Sequence, residues 1–379
     1  MPVRILHAHS TFSLGGKEAR AVRLMNAFGD AAEHVILSGV PGAYSAREAI
    51  APGVAVSFPE HAPSLTGRPG LARLFSLARY MRQFDLVLTY NWGAVDAVMA
   101  RRLFGGPPLV HHEDGFNEDE AAGLKTSRNI YRRLALRAAH RLVVPSTRLE
   151  KIAHFDWQQP AAKVERIPNG IDVSRFILPV DNNVIPGLMK REGEVVIGTM
   201  AGLRPVKNLP RLVRAFAGMK AKNARLVIVG EGPESGRIVE EARRLSVAER
   251  VLLPGFLPDP ARYAGMFDIF ALSSDSEQFP ISLIEAMAAG TPVVATAVGD
   301  IPDMVSEDNR SLIIAPEDEQ ALSAALDTLV ETADLRSTIG RANREKAAAD
   351  FDEKTMIERY GRLYDDAVGR PGTFAAASA

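Results

Sequence analysis

Two carboxylates and the short stretch between them offer the chemistry that is easiest to read in this sequence. The stretch is Ser273 to Ala295, SSDSEQFPISLIEAMAAGTPVVA, in which Glu277 falls in a loop and Glu285 about one turn into a helix opened by Pro280. A helical side chain leans back toward the helix N-terminus, so Glu285 reaches toward the end that Glu277 adjoins. Between the two, the backbone N–H groups of Ile281, Ser282 and Leu283 stand in the first helical turn, without intrahelical partners and at the positive end of the dipole. An anion such as a diphosphate fits there. An acid beside an anion then needs donors of its own, and hydroxyls of a sugar and of a ribose would supply them. Spacing alone is met equally well by a solvated loop charge and a surface helix residue.

Three further clusters bear chemistry. Arg204 and Lys207 lie in Gly202-Leu203-Arg204-Pro205-Val206-Lys207-Asn208, which follows the apolar run Val195 to Met200. Two cations in such a loop can neutralise a diphosphate, Arg by bidentate contact and Lys as a point charge, and a solvated loop accounts for them as readily. Asn208 is placed to cap the helix from Leu209. His111-His112-Glu113-Asp114-Gly115-Phe116-Asn117 is the densest titratable cluster in the chain and follows an apolar strand, which makes it a candidate for active-site chemistry. Gly15 and Gly16 end a loop between the first strand and first helix. Paired glycines let a backbone approach a phosphate, although they also serve any tight strand-to-helix turn.

The elements that must position these residues alternate strand and helix. Val3 to Ala8, Val35 to Ser38, Val54 to Phe58, Leu86 to Thr89, Leu109 to His111, Leu142 to Val144 and Val164 to Ile167 read as strands in the first half. Val195 to Met200, Leu226 to Val229, Val251 to Pro254, Phe267 to Leu272, Pro292 to Ala297 and Leu312 to Ala315 read so in the second. The alternation predicts α/β domains built on parallel sheets, whose ligands gather at the carboxyl ends of the strands. Helices are expected over Asp318 to Leu329 and Met356 to Ala367. Pro179 to Pro186 reads as a connector, dividing the chain into domains at 1–178 and 190–350. Gly230-Glu231-Gly232 does not open a dinucleotide fingerprint, because Gly236 comes one residue late.

The stretch from Glu277 resembles the retaining glycosyltransferases of family 4. Their pattern is a Glu, seven residues, a second Glu, then Ala-Met-Ala-x-Gly-x-Pro-Val-Val-Ala, which stands here as Glu277, Glu285 and AMAAGTPVVA. The resemblance implies that Glu277 holds the donor hexose and Glu285 the ribose of the nucleotide. It departs at Gln278, where many members have Gly, and this leaves loop conformation and sugar choice open. Arg204 and Lys207 stand at the family's spacing for the donor phosphates, the Gly15-Gly16 loop at its diphosphate-facing turn, and Phe256 in the loop whose backbone holds the base. Members commonly show a His before the Gly where this chain has Asp114, so the contact near the reacting carbon is open among His111, His112 and Asp114. Ile167-Pro168-Asn169-Gly170-Ile171-Asp172 matches the crossing between domains, and the final helix is implied to return to the N-terminal domain. The implied fold is GT-B, two facing Rossmann-like doubly wound domains with a cleft between them.

Composition bounds the rest. A chain of 379 residues with 46% hydrophobic and 24% charged residues is a soluble globular protein with ample core. The absence of cysteine excludes disulfides, zinc–thiolate sites and a cysteine nucleophile, and no run approaches the ~20 apolar residues of a membrane span. A cytoplasmic protein is expected. Net charge is -1, yet residues 1–178 carry 22 Lys+Arg against 16 Asp+Glu, a balance of +6 that leaves -7 for the remainder. A basic half favours an anionic partner, a phosphorylated acceptor or a lipid surface, and nucleic acid is not expected. Gly70 to Phe84 and the acid-free run Lys125 to Arg141 read as basic amphipathic segments of the kind that lie on anionic membranes or cover a sheet. The expected reaction is transfer of a hexosyl unit from a UDP- or GDP-sugar to the hydroxyl of a sugar, lipid-linked or phosphorylated acceptor. Neither cofactor nor metal is expected, since no Asp-x-Asp motif stands in the donor loops. The rivals are a nucleotide-sugar 2-epimerase of the same architecture and a noncatalytic nucleotide-sugar binding protein.

Overall fold

Parallel strands buried on both faces read as near-continuous apolar runs, and those runs form two separate sheets. The computed structural model describes residues 1–116, 120, 123–181 and 183–375; Asn117 of the histidine cluster and Asn182 of the connector lie outside them. The chain divides into a first unit, 1–169 with 354–379, and a second, 170–353. The division falls before residue 178 because the 3-10 turn Val173–Ile177 carries Phe176 into the core of the second unit.

In the first unit β1 (Val3–His9), β2 (Ala32–Ser38), β3 (Val56–Ser57), β4 (Leu86–Tyr90), β5 (Leu109–His112), β6 (Arg141–Val144) and β7 (Val164–Arg166) pair in the order β3-β2-β1-β4-β5-β6-β7. Alternation within β1 sends Leu6 and Ala8 to one face and Val3 and Ile5 to the other. The first face is covered by α2 (Leu71–Met81), α3 (Val95–Phe104), α4 (Thr126–Ala135) and α5 (Thr147–Phe155). The second is covered by α1 (Gly16–Phe28) and by the last helix of the chain, Glu353–Val368, whose Met356, Tyr360, Leu363 and Tyr364 are buried there.

The second unit holds β8 (Val195–Met200), β9 (Ala224–Val229), β10 (Val251–Gly255), β11 (Ile269–Leu272), β12 (Val293–Thr296) and β13 (Ile313–Ile314) in the order β10-β9-β8-β11-β12-β13. Its helices are α6 (Leu209–Gly218), α7 (Ser235–Arg244), α8 (Ile281–Ala288), α9 (Ile301–Met304), α10 (Glu319–Glu331) and α11 (Ala333–Asp350), which makes the last helix α12. The helix α8 stops in a Schellman arrangement. Gly290, at φ +79°, donates to Met287 O, and Thr291 donates to Ala286 O. The helix α11, which the sequence reading did not anticipate, lies against this end. A Cβ on Gly340 would stand 2.1 Å from Gly290 O, so only glycine lets the two backbones meet. Buried Asn343 of α11 donates to Thr291 O and Asn309 Oδ1 and accepts from Ser306.

Five histidines are buried in the first unit, and four of them form one cluster with Tyr90. His7 Nε2 and His34 Nδ1 share a proton across 2.9 Å, His7 Nδ1 meets the Tyr90 hydroxyl at 3.2 Å, and His9 and His112 stack on Tyr90. Burial penalises the charged form. It holds His7, His9 and His112 well below 6.5, and His34 at about 4. Each folded-state pKa lies below the unfolded value, so the unfolded chain binds more protons as pH falls. Stability is therefore full above 6.5 and lost as pH drops from 6.5 toward about 4, with a slope of up to about 1.4 kcal/mol per pH unit for each histidine. Thermal melts in a pH series should show a flat Tm above neutrality and a steep fall below it, with a shallower fall in His34→Gln. A Tm indifferent to acid would show that these side chains open to water.

Candidate active site

Glu277 is held by three loops of the second unit that meet at the carboxyl ends of β8, β11 and β12. The loop after β8 is stitched to the loop after β11: Ser273 Oγ donates to the carbonyls of Lys207 and Asn208, and the Asp275 N–H donates to Val206 O. Arg211 reaches from α6 to the Ser273 carbonyl and the Asp275 carboxylate. Stitching of this kind brings Lys207 Nζ to 2.5 Å from Glu277 Oε1 and Ser274 Oγ to 2.7 Å from the same oxygen. The third loop, after β12, fixes the backbone. Thr296 Oγ1 donates to Ser274 O, and Gly299 at φ +60° passes so close that a Cβ would stand 2.2 Å from Glu277 O.

The two oxygens of Glu277 thus differ. Oε1 takes both bonds, and Oε2 accepts none among the described residues. A carboxylate whose residue is 8% exposed and paired with a cation is poised to accept from a ligand hydroxyl on its open side. Arg204 stands nearby in sequence, exposed and without an ion pair among the described residues. Asn208 does not cap α6 through its side chain as expected. It takes a left-handed conformation (φ 43°, ψ 48°) and gives its amide to the Asp275 carboxylate, because the stitch between loops uses the side chain that a cap would need.

At the start of α8 the expected free donors are two, not three. Leu283 N–H donates to Pro280 O at 3.2 Å, whereas Ile281 and Ser282 N–H make no hydrogen bond among the described residues. Glu285 follows, half-buried, and its charge helps raise the pKa of Tyr263, although burial is the larger cause. The Tyr263 hydroxyl bonds Leu257 O at 3.2 Å, and Phe256 beside it exposes its ring while its N–H leans on Glu231 at 3.4 Å. Gln278 Oε1 is buried without a partner.

In the first unit the histidine expectation is corrected. His111 and His112 are 0% and 1% exposed. His111 Nδ1 bonds Thr89 Oγ1 at 2.8 Å, and His112 uses both ring nitrogens, on Thr89 O at 3.2 Å and the Tyr364 hydroxyl at 3.0 Å. Both side chains are buried in the sheet, and His111 Nε2 is left without a hydrogen-bond partner, 3.6 Å from Glu113 Oε2. Asp114 lies past the strand end and is partly exposed, with its carboxylate held on both oxygens by the guanidinium of Arg20, which also donates to Asn169 Oδ1 at 2.8 Å. Gly15 and Gly16 open α1 with extended and helical backbone, exposed, and a Cβ on Gly16 would meet nothing within 4 Å. Packing does not demand glycine at that position, which leaves space for an approaching group.

Sequence reasoning missed Arg20 and Ser274. A basic residue among Ala21, Val22, Leu24 and Met25, all buried on α1, was the available signal for Arg20, because a buried guanidinium requires a carboxylate. Ser274 carried none beyond its place at the end of β11.

The comparisons agree with the fold. The model of glycosyltransferase family 4 matches residues 14–175, and that of glycosyl transferases group 1 matches residues 182–346. The two parallel-sheet, Rossmann-like units match the GT-B glycosyltransferase fold, and together the two models place most of the chain among glycosyltransferases of the family 4 and group 1 type. It is 28% identical over 397 residues to the 2-deoxystreptamine N-acetyl-D-glucosaminyltransferase of Streptomyces fradiae, across 94% of this chain and 92% of that one. It is 29% identical over 176 residues to the N-acetyl-alpha-D-glucosaminyl L-malate synthase of Bacillus anthracis, and that alignment spans 46% of each chain. The crystal structure of Anabaena HepE in complex with UDP has the same fold, with a TM-score of 0.78 at 20% identity over 96% of this chain and all of the other.

Arg20 is buried, and burial would lower its pKa, yet the Asp114 carboxylate outweighs burial and the net shift is upward. Removing the carboxylate should then cost about 3–5 kcal/mol, since it strands a buried charge. Denaturant unfolding should show this loss for Asp114→Ala and a substantial recovery in Arg20→Met/Asp114→Ala. Additive losses would mean that the two residues do not act as a pair.

Proposed function

We propose that the protein transfers a hexosyl unit from a nucleotide diphosphate sugar, UDP- or GDP-linked, to an acceptor hydroxyl with retention at the anomeric carbon. The observation that carries this reading is the half-engaged Glu277, with Oε1 on Lys207 of the adjoining loop and Oε2 open, in a segment that leads into the unpaired N–H groups of Ile281 and Ser282. A carboxylate for hydroxyls beside donors for an anion suits a sugar diphosphate and little else of common chemistry. The transferase names of the two relatives, and the UDP held by the structural relative, support the same class of donor.

In this reading Arg204 and the N-terminus of α8 hold the diphosphate, and charge developing on the leaving group is met by fixed donors. Lys207 serves both halves of the donor, keeping Glu277 oriented through Oε1 and turning its remaining N–H groups to the phosphates. Glu285 binds the ribose, and Phe256 offers its ring to the base. No divalent metal has a role, because the leaving charge is met by cationic side chains and backbone N–H groups. The acceptor is a sugar, lipid-linked or phosphorylated molecule, and the protein works in the cytoplasm, with peripheral association at the inner membrane face. Among the described residues no helix is long and apolar enough to cross a membrane.

The two acids should separate in kinetics. Glu285→Gln removes a contact to a part of the donor that does not react, so KM for donor rises while kcat holds. Glu277→Gln removes the contact that sets the anomeric carbon and should lower kcat by about 10²-fold, with nucleoside diphosphate affinity retained. Arg204→Ala should lower kcat/KM by about 10²-fold. A thermal-shift screen with UDP-, GDP- and ADP-sugars selects the donor for these assays. Silent variants at both acids would sink the mechanism.

A further inference from the structure

The first unit carries an outward surface that its own fold does not use. The helices α2, α3 and α4 pack side by side over one face of the sheet, with Phe75 of α2 edge-on to Phe104 of α3 at 5.4 Å. Their inward residues form the core, but Leu71, Phe75, Leu103, Ile130 and Leu134 each keep between 47% and 71% of their surface exposed. Single exposed apolar residues are ordinary, whereas five on three neighbouring helices are not.

Among the described residues of these three helices, the charge left exposed has one sign. Asp96 is the one acid in the three helices, and it is spent inside the fold, paired with Arg73 and accepting from the Tyr131 hydroxyl at 2.6 Å. Glu120, just before α4, is likewise buried against Arg128 and Arg132. That second pairing corrects the reading of Lys125 to Arg141 as one basic face, because Arg132 is fully buried between Trp92, Phe116 and Trp157. The charges left outside on the three helices are Arg79, Arg102 and Arg133, all exposed and carried by the same helices as the exposed apolar side chains.

We propose that the outer face of α2, α3 and α4 docks on an anionic lipid bilayer, with Leu71, Phe75 and Leu103 entering the headgroup region and the arginines meeting lipid phosphates. Apolar side chains accompanied by exposed arginines, with Asp96 and Glu120 paired inside the fold, complement a negatively charged surface that is apolar just beneath. A protein partner of matching shape would need acids around an apolar groove, and a second copy of this face would oppose cation to cation. The proposal deepens the reading of a membrane-proximal acceptor and rests on it only for its biological use. Its test reads lipid binding and not transfer, so either can fail alone.

The test is co-sedimentation of the full chain with phosphatidylglycerol–phosphatidylcholine vesicles, against pure phosphatidylcholine vesicles. Binding is expected to the first and not to the second, and to weaken steeply with salt. Leu71→Ser/Phe75→Ser should reduce it by about tenfold or more. Arg102→Glu/Arg133→Glu should reduce it by at least about twentyfold, at roughly fivefold for each cation lost. All four positions lie outside the candidate donor site, so donor affinity should not move. Equal binding to both vesicles, no binding, or wild-type binding by both double variants would overturn the proposal. So would a concentration-dependent dimer in sedimentation velocity that Leu71→Ser/Phe75→Ser abolishes while vesicle binding stays absent.

Discussion

A carboxylate at the end of a buried parallel strand must be compensated, and the compensation of Glu277 organises the carboxyl rim of the second unit. The ion would be costly if left alone at 8% exposure. Lys207 and Ser274 meet that need on one oxygen, but only if the loop after β8 lies against the loop after β11. The bonds from Ser273 to the carbonyls of Lys207 and Asn208, and from Asn208 to Asp275, make that contact obligatory. Gly299 then closes the third side at a distance that tolerates no Cβ. A loop whose conformation the sequence leaves open is in this way tied down on three sides.

The first unit solves the same problem with different chemistry. Its sheet is covered on both faces, so titratable residues carried inward by β1, β2 and β5 must be neutral or paired. His7, His9, His34 and His112 remain neutral, their pKa values held low chiefly by burial. Asp114, at the end of the cluster after β5, is paired instead, and its partner Arg20 comes from α1 on the opposite side of the crossover. The α12 helix completes this arrangement through Tyr364 on His112 and the Tyr360 ring beneath Arg20.

Much of this was legible in the residues. The strands could be placed within a few positions because parallel core strands are short apolar runs punctuated by turn residues, and α8 because Pro280 and Gly290 mark its ends. Glu277, Lys207 and Arg204 could be picked out as a group through the resemblance, but not their mutual geometry, which depends on contacts between loops far apart in sequence. The helix α11 escaped because its burial is confined to Ile339, Gly340, Asn343 and Ala347, two of which are not apolar markers. His111 and His112 misled for the reason that makes the strands readable. In a strand covered on both faces, a polar residue carries no mark that distinguishes a satisfied core position from a rim position. Arg132 misled in the same way, since a basic run without acids looks solvated until Glu120 and two tryptophans are found around it.

The asymmetry of Glu277 has an energetic corollary for the proposed donor. Pairing with Oε1 occupies Lys207, yet an ammonium has three N–H groups and one suffices for the carboxylate. A phosphate that draws Lys207 toward itself weakens the hold on Glu277 and leaves a largely buried carboxylate in want of donors, a cost on the order of 1–3 kcal/mol. Hydroxyls of an attached sugar supply those donors at Oε2. A ligand that brings both halves therefore gains what a ligand bringing only the phosphate must lose. In the proposed mechanism, recognition of the diphosphate and recognition of the sugar would meet at one side chain, Lys207.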